Sequence, residues 1–265
     1  MYSLIDEWIH HILPMIPFFM LYFSFMEFIS HFHISFSLKQ PFFILLFVIL
    51  VSSIPQCSIT ILMVYLFFYH KISFGTLVAS FIAMNDESIL LLLGTNHQIY
   101  LSRYLFIKII CALITGLVLD KCVHIDYFKI SSFTYNHHHS SLISAVFLHT
   151  FQIVFILSVV LVLEEIIFDI IDVNYLLSIF SHSFISRIIL MLIGLIPGCS
   201  GPFLAYSLLN SQFISFSVYS CVLTTCNGFG LVVLFKNYCT KYIFIIIISL
   251  LCNALFISFL CEVLI

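Results

Sequence analysis

Charge is what this chain has least of. Nine Lys or Arg and twelve Asp or Glu are spread over 265 residues, 8% in all, against roughly 25% in an ordinary soluble domain. A soluble chain of this size must clothe its core in charged surface, and so few charges cannot do that. With 63% hydrophobic residues and a mean hydropathy of +1.22, the chain is not disordered either. Nine basic residues and a net charge of −3 make no basic face, which excludes nucleic-acid binding. Also missing are a Gly-x-x-x-x-Gly-Lys-Ser/Thr run, a soluble stretch large enough for a nucleotide domain, and any Ser/His/Asp or zincin pattern. Neither an enzyme nor a cofactor is expected, so energy would come from an ion gradient or from a separate subunit. The N-terminus carries Asp6 and Glu7, not the Lys or Arg of a signal n-region. Its apolar run from Leu13 to Ile29 reads as a retained first span.

What the chain does have is apolar runs of the length that crosses a bilayer, roughly 20 residues. They cover 13–30, 74–94, 101–119, 142–168, 216–235 and 242–264. Two further runs, 41–69 and 186–210, are each broken near the middle, at Ile54-Pro55-Gln56-Cys57 and Ile196-Pro197-Gly198-Cys199. Pro removes a backbone donor and clashes with the preceding turn. Each broken run is therefore two short helices meeting at a break, or a re-entrant hairpin. Counting each as two gives an all-α polytopic membrane protein of about ten membrane helices. Lys39, Lys71, Lys121, Lys129, Lys236 and Lys241 fall on one side, and Arg103 and Arg187 on the other, with Lys108 just inside a helix near that second side. The bias makes the first side cytoplasmic. The nine Cys sit mostly in or beside apolar runs, where free thiols behave as small hydrophobes.

A shift of 142 residues overlays the two breaks without gaps. Ile54, Pro55 and Cys57 fall on Ile196, Pro197 and Cys199, Ser58 on Ser200, and Asn85 on Asn227. Ile72-Ser73-Phe74 falls on Ile214-Ser215-Phe216. Matches of Pro, Cys, Ser and Asn at one register are not cheap in so apolar a chain. They imply a first membrane repeat over 1–119, a His-containing cytoplasmic loop over 120–141, and a second membrane repeat over 142–265. Five helices per half would invert the second half in the bilayer, as in many secondary transporters. Irregular backbone at membrane depth is tolerated only where protein or a wet cavity covers it. Pro55, Cys57 and Ser58, with Pro197, Gly198, Cys199 and Ser200, are thus the expected substrate or ion site. The helix N-termini after each Cys suit an anion, and the freed carbonyls and thiolates suit a cation.

Ionisable groups at depth cost ~2.5–3.5 kcal/mol even on the lenient insertion scale, so each needs a reason. Asp86 and Glu87 interrupt the run from Phe74 to Leu93. One of them is expected to carry a coupling proton or cation, with Asn85 and Asn227 framing the cavity. The alternative is that the helix ends earlier and both acids face water. Glu27 and Glu164 are gate or vestibule acids, or interfacial ones. His149 is placed to relay protons or bind a soft cation. In the middle loop, Cys122, His124 and His137-His138-His139 have donors for zinc, copper or nickel, at spacings that match no closed structural zinc site.

Several of these motifs together resemble the ten-transmembrane heavy-metal exporters, whose members are described as arsenic efflux proteins or manganese transporters. Leu13-Pro14-Met15-Ile16-Pro17-Phe18-Phe19 followed by Met26-Glu27 is similar to the family's opening helix. Gly194-Leu195-Ile196-Pro197-Gly198-Cys199 is close to its Gly-x-Ile-Pro-Gly-Cys signature, with Ser53–Cys57 and Asn85-Asp86 as a weaker first copy. A His-bearing loop then leads to His149-Thr150. The chain departs from the family at Cys57-Ser58-Ile59, at Cys199-Ser200-Gly201-Pro202, and at Asn227-Gly228, where the second acid is missing. The resemblance implies a multi-pass inner (plasma) membrane transporter that exports a divalent or heavy-metal ion by alternating access. The alternatives are a permease for a small anion or organic acid, and a non-catalytic membrane subunit of a larger complex. The expected partners are the lipid bilayer and a small inorganic solute, proton-coupled through Asp86, with homo-oligomerisation left open and no nucleic acid.

Overall fold

The computed structural model is helical throughout its regular elements, with no strand among the described residues. Those residues are 41–55, 58–86, 88–89, 92, 98–123, 183–196, 200–227, 230–237 and 240–264, with Pro17, Phe151 and Phe155. Packing divides the chain into two units, Met1–Ser37 with Phe133–Ile171 and Leu38–Ser132 with Asp172–Ile265. Every helix below belongs to the second unit.

In its first stretch the second unit runs α1 (Pro41–Ser52), α2 (Ser58–Phe68), α3 (Phe74–Ala83) and α4 (Gln98–Cys122). Its second stretch runs α5 (Ser183–Gly194), α6 (Ser200–Asn210), α7 (Phe216–Thr225), α8 (Gly230–Asn237) and α9 (Thr240–Leu264). Adding 142 to the bounds of α1, α2, α3 and α4 reproduces the bounds of α5, α6, α7 and α9 at both ends. The counterparts of Gly230, Leu231 and Leu234 in α8 are Ser88, Ile89 and Leu92, which lie in 3₁₀ geometry.

The agreement extends to how the helices stop. Before Pro55, α1 tightens through Ser53 N–H to Ile49 C=O and Ile54 N–H to Val51 C=O. Near the same register, α5 closes with Leu195 N–H to Met191 C=O and Ile196 N–H to Ile193 C=O. Helix α2 ends with His70 N–H bonded to Phe67 C=O and Lys71 N–H to Leu66 C=O. Helix α6 ends with Gln212 N–H to Leu209 C=O and Phe213 N–H to Leu208 C=O. Both are Schellman closures, which place the first residue past the helix in left-handed backbone. His70 at φ 56° and Gln212 at φ 62° hold that position, where Gly is the usual occupant.

Sequence expects unbroken spans over 74–94 and 216–235. Instead α3 stops at Ala83 and α7 at Thr225. The last helical bonds run from Met84 N–H to Ser80 C=O and from Cys226 N–H to Val222 C=O. Met84 (φ −57°, ψ 140°) and Cys226 (φ −67°, ψ 112°) then turn the chain out of the helix. No Pro or Gly stands at 84–86 to signal this. The chain ends its helix there because side chains elsewhere take up the groups that it frees, as described below.

The surface of this unit is more apolar than that of a soluble protein, and its mostly apolar core includes several polar and charged groups. Asn85, Asp86, Lys108, Ser80, Ser220, Thr224 and Ser258 are buried, while Phe106, Ile110, Ile114 and Val118 form an exposed apolar stripe along α4 at a four-residue period. On α9, Phe244, Ile248, Phe256, Phe259 and Val263 are likewise exposed. Two stretches, Phe216–Phe235 and Tyr242–Leu264, are long and apolar enough to cross a membrane. A largely apolar core that encloses a few polar and charged groups, under an exterior rich in exposed large apolar side chains, points to lipid as the solvent.

Helix α3 packs along α4, and α7 along α9, with α1 on α3 and α5 on α7. The first pair meets at Gly75 and Gly116, where a Cβ on Gly75 would clash with the Gly116 carbonyl. Such small residues let helix backbones approach closely. At the matching positions of the second pair, Ser258 Oγ donates to the Ser217 carbonyl at 2.6 Å.

Candidate functional site

Two contacts fix how α3 and α7 lie along α4. The start of α3 sits at the far end of α4, where Asp120 Oδ1 accepts from Gly75 N–H at 2.8 Å and Asp120 Oδ2 accepts from Ser73 Oγ at 2.7 Å. A carboxylate there complements the positive end of the helix. The start of α7 sits near the opening of α4, where the Phe216 ring lies 5.8 Å from Tyr100 and 6.1 Å from Tyr104. Glu262, the counterpart of Asp120, pairs instead with Arg187 at 2.5 Å, and Ser215 makes no side-chain cap bond. The two short helices therefore run in from opposite ends of α4 and stop near its middle.

Lys108 stands at that point, 1% exposed. Its Nζ donates to Asn85 Oδ1 at 2.9 Å, to the Leu223 carbonyl at 2.8 Å, and to the Met84 carbonyl. A lysine ammonium has three donors, so these three acceptors use all of them. A neutral amine has only two donors and could not serve all three. One acceptor pair belongs to the end of α3 and one acceptor to the last turn of α7, both negative helix poles. The Tyr104 ring lies under the ammonium, 5.3 Å from Nζ to the ring centre.

Asp86 and Cys226 are the ionisable groups nearest in influence to this ammonium. Asp86 is 0% exposed and lies within electrostatic reach of Lys108. Its Oδ1 accepts from Ser88 N–H at 2.8 Å, and Cys226 Sγ lies 3.8 Å from its Oδ2. Asn85 joins the cluster to the first Pro break, because its Nδ2 donates to the Ser53 carbonyl at 2.8 Å. Buried hydroxyls complete the surroundings, with Tyr104 Oη 3.2 Å from Thr224 Oγ1 and Tyr219 Oη 3.2 Å from Ser88 Oγ. Asn227 differs from its counterpart Asn85. Its Nδ2 donates to the Thr225 carbonyl at 2.7 Å, but its buried Oδ1 has no hydrogen-bond partner among the described residues.

Of the residues singled out from sequence, Asn85 and Asp86 are brought together around Lys108, and Asn227 stands at the equivalent end of α7. Helix α3 does end early, as one alternative held, yet Asp86 is buried and does not face water. Pro55 lies just past α1, and Ser58 and Ser200 open α2 and α6. Cys122 is an exposed free thiol at the last position of α4. No group of three or more His, Cys, Asp or Glu suited to a metal occurs among the described residues. Cys57, Glu27, Glu87, His124, His137, His138, His139, His149, Glu164, Pro197, Gly198 and Cys199 lie outside the described residues.

Sequence reasoning missed the centre of this cluster. Lys108 counted there only as a charge near one rim, yet it is the eleventh of 25 residues in α4. The signal that could have found it is its position, a lone ammonium inside the apolar run from Tyr104 to Leu119. Comparisons with protein-family models, curated proteins and solved structures find no match to this chain. The resemblance to heavy-metal exporters therefore rests on the motifs themselves.

Proposed function

We propose that the chain is a multi-pass membrane transporter built from two inverted repeats, in which substrate and coupling ions pass near the ends of α3 and α7. The observation that carries this reading is the Lys108 cluster. A buried ammonium, with a buried carboxylate within electrostatic reach, stands where two helices, matched at a 142-residue interval, arrive from opposite directions and stop. Charge at membrane depth is costly and marks ion pathways and relays. Half-helices that end at mid-depth are what inverted-repeat transporters use to build their sites. The matching helix bounds and the paired stops before the Pro breaks support the repeat, and the exposed apolar faces support several membrane crossings.

The substrate in this reading is a divalent or heavy-metal ion, exported across the plasma membrane, as the motif resemblance implies. Asp86 exchanges a proton as the metal moves, while the Pro-Cys breaks around Cys57 and Cys199 contribute ligands from backbone and thiolate. Flux into proteoliposomes, scanned over manganese, zinc, copper and arsenite under a pH gradient, tests it. Metal flux is expected to collapse in Asp86→Asn and in Cys199→Ala. Undiminished flux in both variants sinks the site assignment.

One observation favours a second reading. Lys108 is a fixed cation beside the site, and α2 and α6 start at Ser58 and Ser200 with N-terminal poles suited to anions. A permease for a small anion or organic acid would use these groups in place of the thiols. Competition of radiolabelled organic anions against metals in the same vesicles separates the two.

A further inference from the structure

Lys108 demonstrates what the end of α3 binds. Its ammonium is a cation held by backbone and amide oxygens where the helix unwinds: the Met84 carbonyl, Asn85 Oδ1, and the Leu223 carbonyl across from it. The end of α7 repeats the backbone course of that helix end 142 residues on, with its Asn amide turned to a local carbonyl instead. Met84 and Cys226 both leave the helix by extended backbone, with the same cap bond to the carbonyl four residues earlier. Asn227 takes the place of Asn85, and the Cys226 carbonyl takes that of Met84. By the same register, the Phe81 carbonyl is the counterpart of Leu223's.

The two ends differ in the charged residues around them, since Asp86 falls on Gly228 and Lys108 has no basic counterpart. The counterpart of Lys108 on α9 is Leu250, buried and without a donor. Asn85 Oδ1 has the ammonium; Asn227 Oδ1, 2% exposed as a residue, has no hydrogen-bond partner among the described residues. A buried amide oxygen without a donor costs about 1–3 kcal/mol. The Asn227 side chain is not free to turn away from this, because its Nδ2 is tied to the Thr225 carbonyl. A buried amide oxygen without a donor, at the counterpart of a position that holds a tethered ammonium, is an acceptor open to a mobile cation.

We propose that the end of α7, centred on Asn227 Oδ1, is a binding site for a monovalent alkali cation, the mobile equivalent of the Lys108 ammonium. The acceptors are neutral oxygens, which suit a hard cation. The nearby fixed charges, Lys108 and Asp86, offset each other, which leaves room for one added positive charge and not for two. The inference rests on the transporter reading above, in which this ion is a coupling ion distinct from the metal substrate.

The test uses the full-length protein in detergent, without transition metal, and follows thermal unfolding as choline chloride is replaced by sodium or potassium chloride at constant ionic strength. Wild type should show a saturable rise in Tm with one or both alkali ions and none with choline, and the arm that responds identifies the ion. Asn227→Ala should lose the rise or shift its midpoint at least tenfold to higher concentration. Asn227→Asp, which keeps an oxygen and adds charge, should retain it. Leu250→Lys, which installs a second tethered ammonium, should be insensitive to both ions. If that variant fails to fold, the Asn227 pair still decides. No alkali-dependent rise in wild type overturns the proposal, and so does a rise that survives Asn227→Ala unchanged. Metal flux in vesicles is scored separately, so flux without an alkali response defeats this site and leaves the transporter reading standing.

Discussion

Replacing Lys108 by Met keeps the length of the side chain and removes the charge. Three acceptors then lose their donor at once: Asn85 Oδ1, the Leu223 carbonyl and the Met84 carbonyl. Bonds to a charged group are worth about 1.5–3 kcal/mol each, which puts a ceiling near 9 kcal/mol on the loss. Relaxation lowers that, and breaking a buried charge pair by removing one partner costs about 3–5 kcal/mol. For a chain of this size a Tm falls roughly 2–4 °C per kcal/mol, so a drop of roughly 6–20 °C is expected. Part of the loss is the carboxylate of Asp86, left buried with the nearby ammonium gone. Adding Asp86→Asn to Lys108→Met should therefore recover stability, with a coupling of about 0.5–3 kcal/mol between the two sites. Differential scanning fluorimetry of the two single variants and the double variant, in one detergent, measures the whole cycle. A Tm for Lys108→Met within about 2 °C of wild type would refute the triple coordination. Losses that merely add in the double variant would refute the pairing with Asp86.

Other outcomes follow from the packing. Gly75→Leu should separate α3 from α4 and cost about 1–3 kcal/mol by overpacking, read as a lower Tm. Asp120→Ala removes the carboxylate that accepts from Ser73 and Gly75 at the start of α3, and should cost about 1 kcal/mol, with faster hydrogen exchange confined to the first turn of α3. His70→Gly and Gln212→Gly should each raise stability by about 0.5–1 kcal/mol, because both side chains sit in left-handed backbone that Gly adopts without strain. The two gains should add, since each closure is local to its own helix end.

The parts of this fold that sequence displays are those fixed by local chemistry. Pro55 and Pro197 stop helices wherever they occur, so the ends of α1 and α5 follow from them directly. The 142-residue register was visible in Pro, Cys and Asn, residue types scarce in this chain, with Ser matches alongside. The ends of α3 and α7 were not visible. Met84 and Cys226 are ordinary apolar residues, and only Asn227-Gly228, past the second of them, carries a local stop signal. Those ends are set by partners far along the chain: Lys108 on Met84 and Leu223, and Ser53 on Asn85. The candidate site was legible to the same degree. Asn85, Asp86 and Asn227 were found because polar residues stand out at depth, while Lys108 was assigned by its distance to a loop and not by what it could reach. A long flexible side chain in an apolar run needs acceptors, and the acceptors it finds are carbonyls, which carry no signature in a sequence.

The glycine contact between α3 and α4, set beside the serine contact between α7 and α9, bears on how this chain can change over time. Gly75 with Gly116 is one solution to bringing two backbones together, and Ser217 with Ser258 is another. Moving from the first to the second by single steps passes through a hybrid that puts one hydroxyl into a space sized for none. Each interface is thus a lock with two tumblers that must turn together. Substitutions there should arrive in pairs among relatives of this chain, and the two interfaces should drift apart along separate tracks.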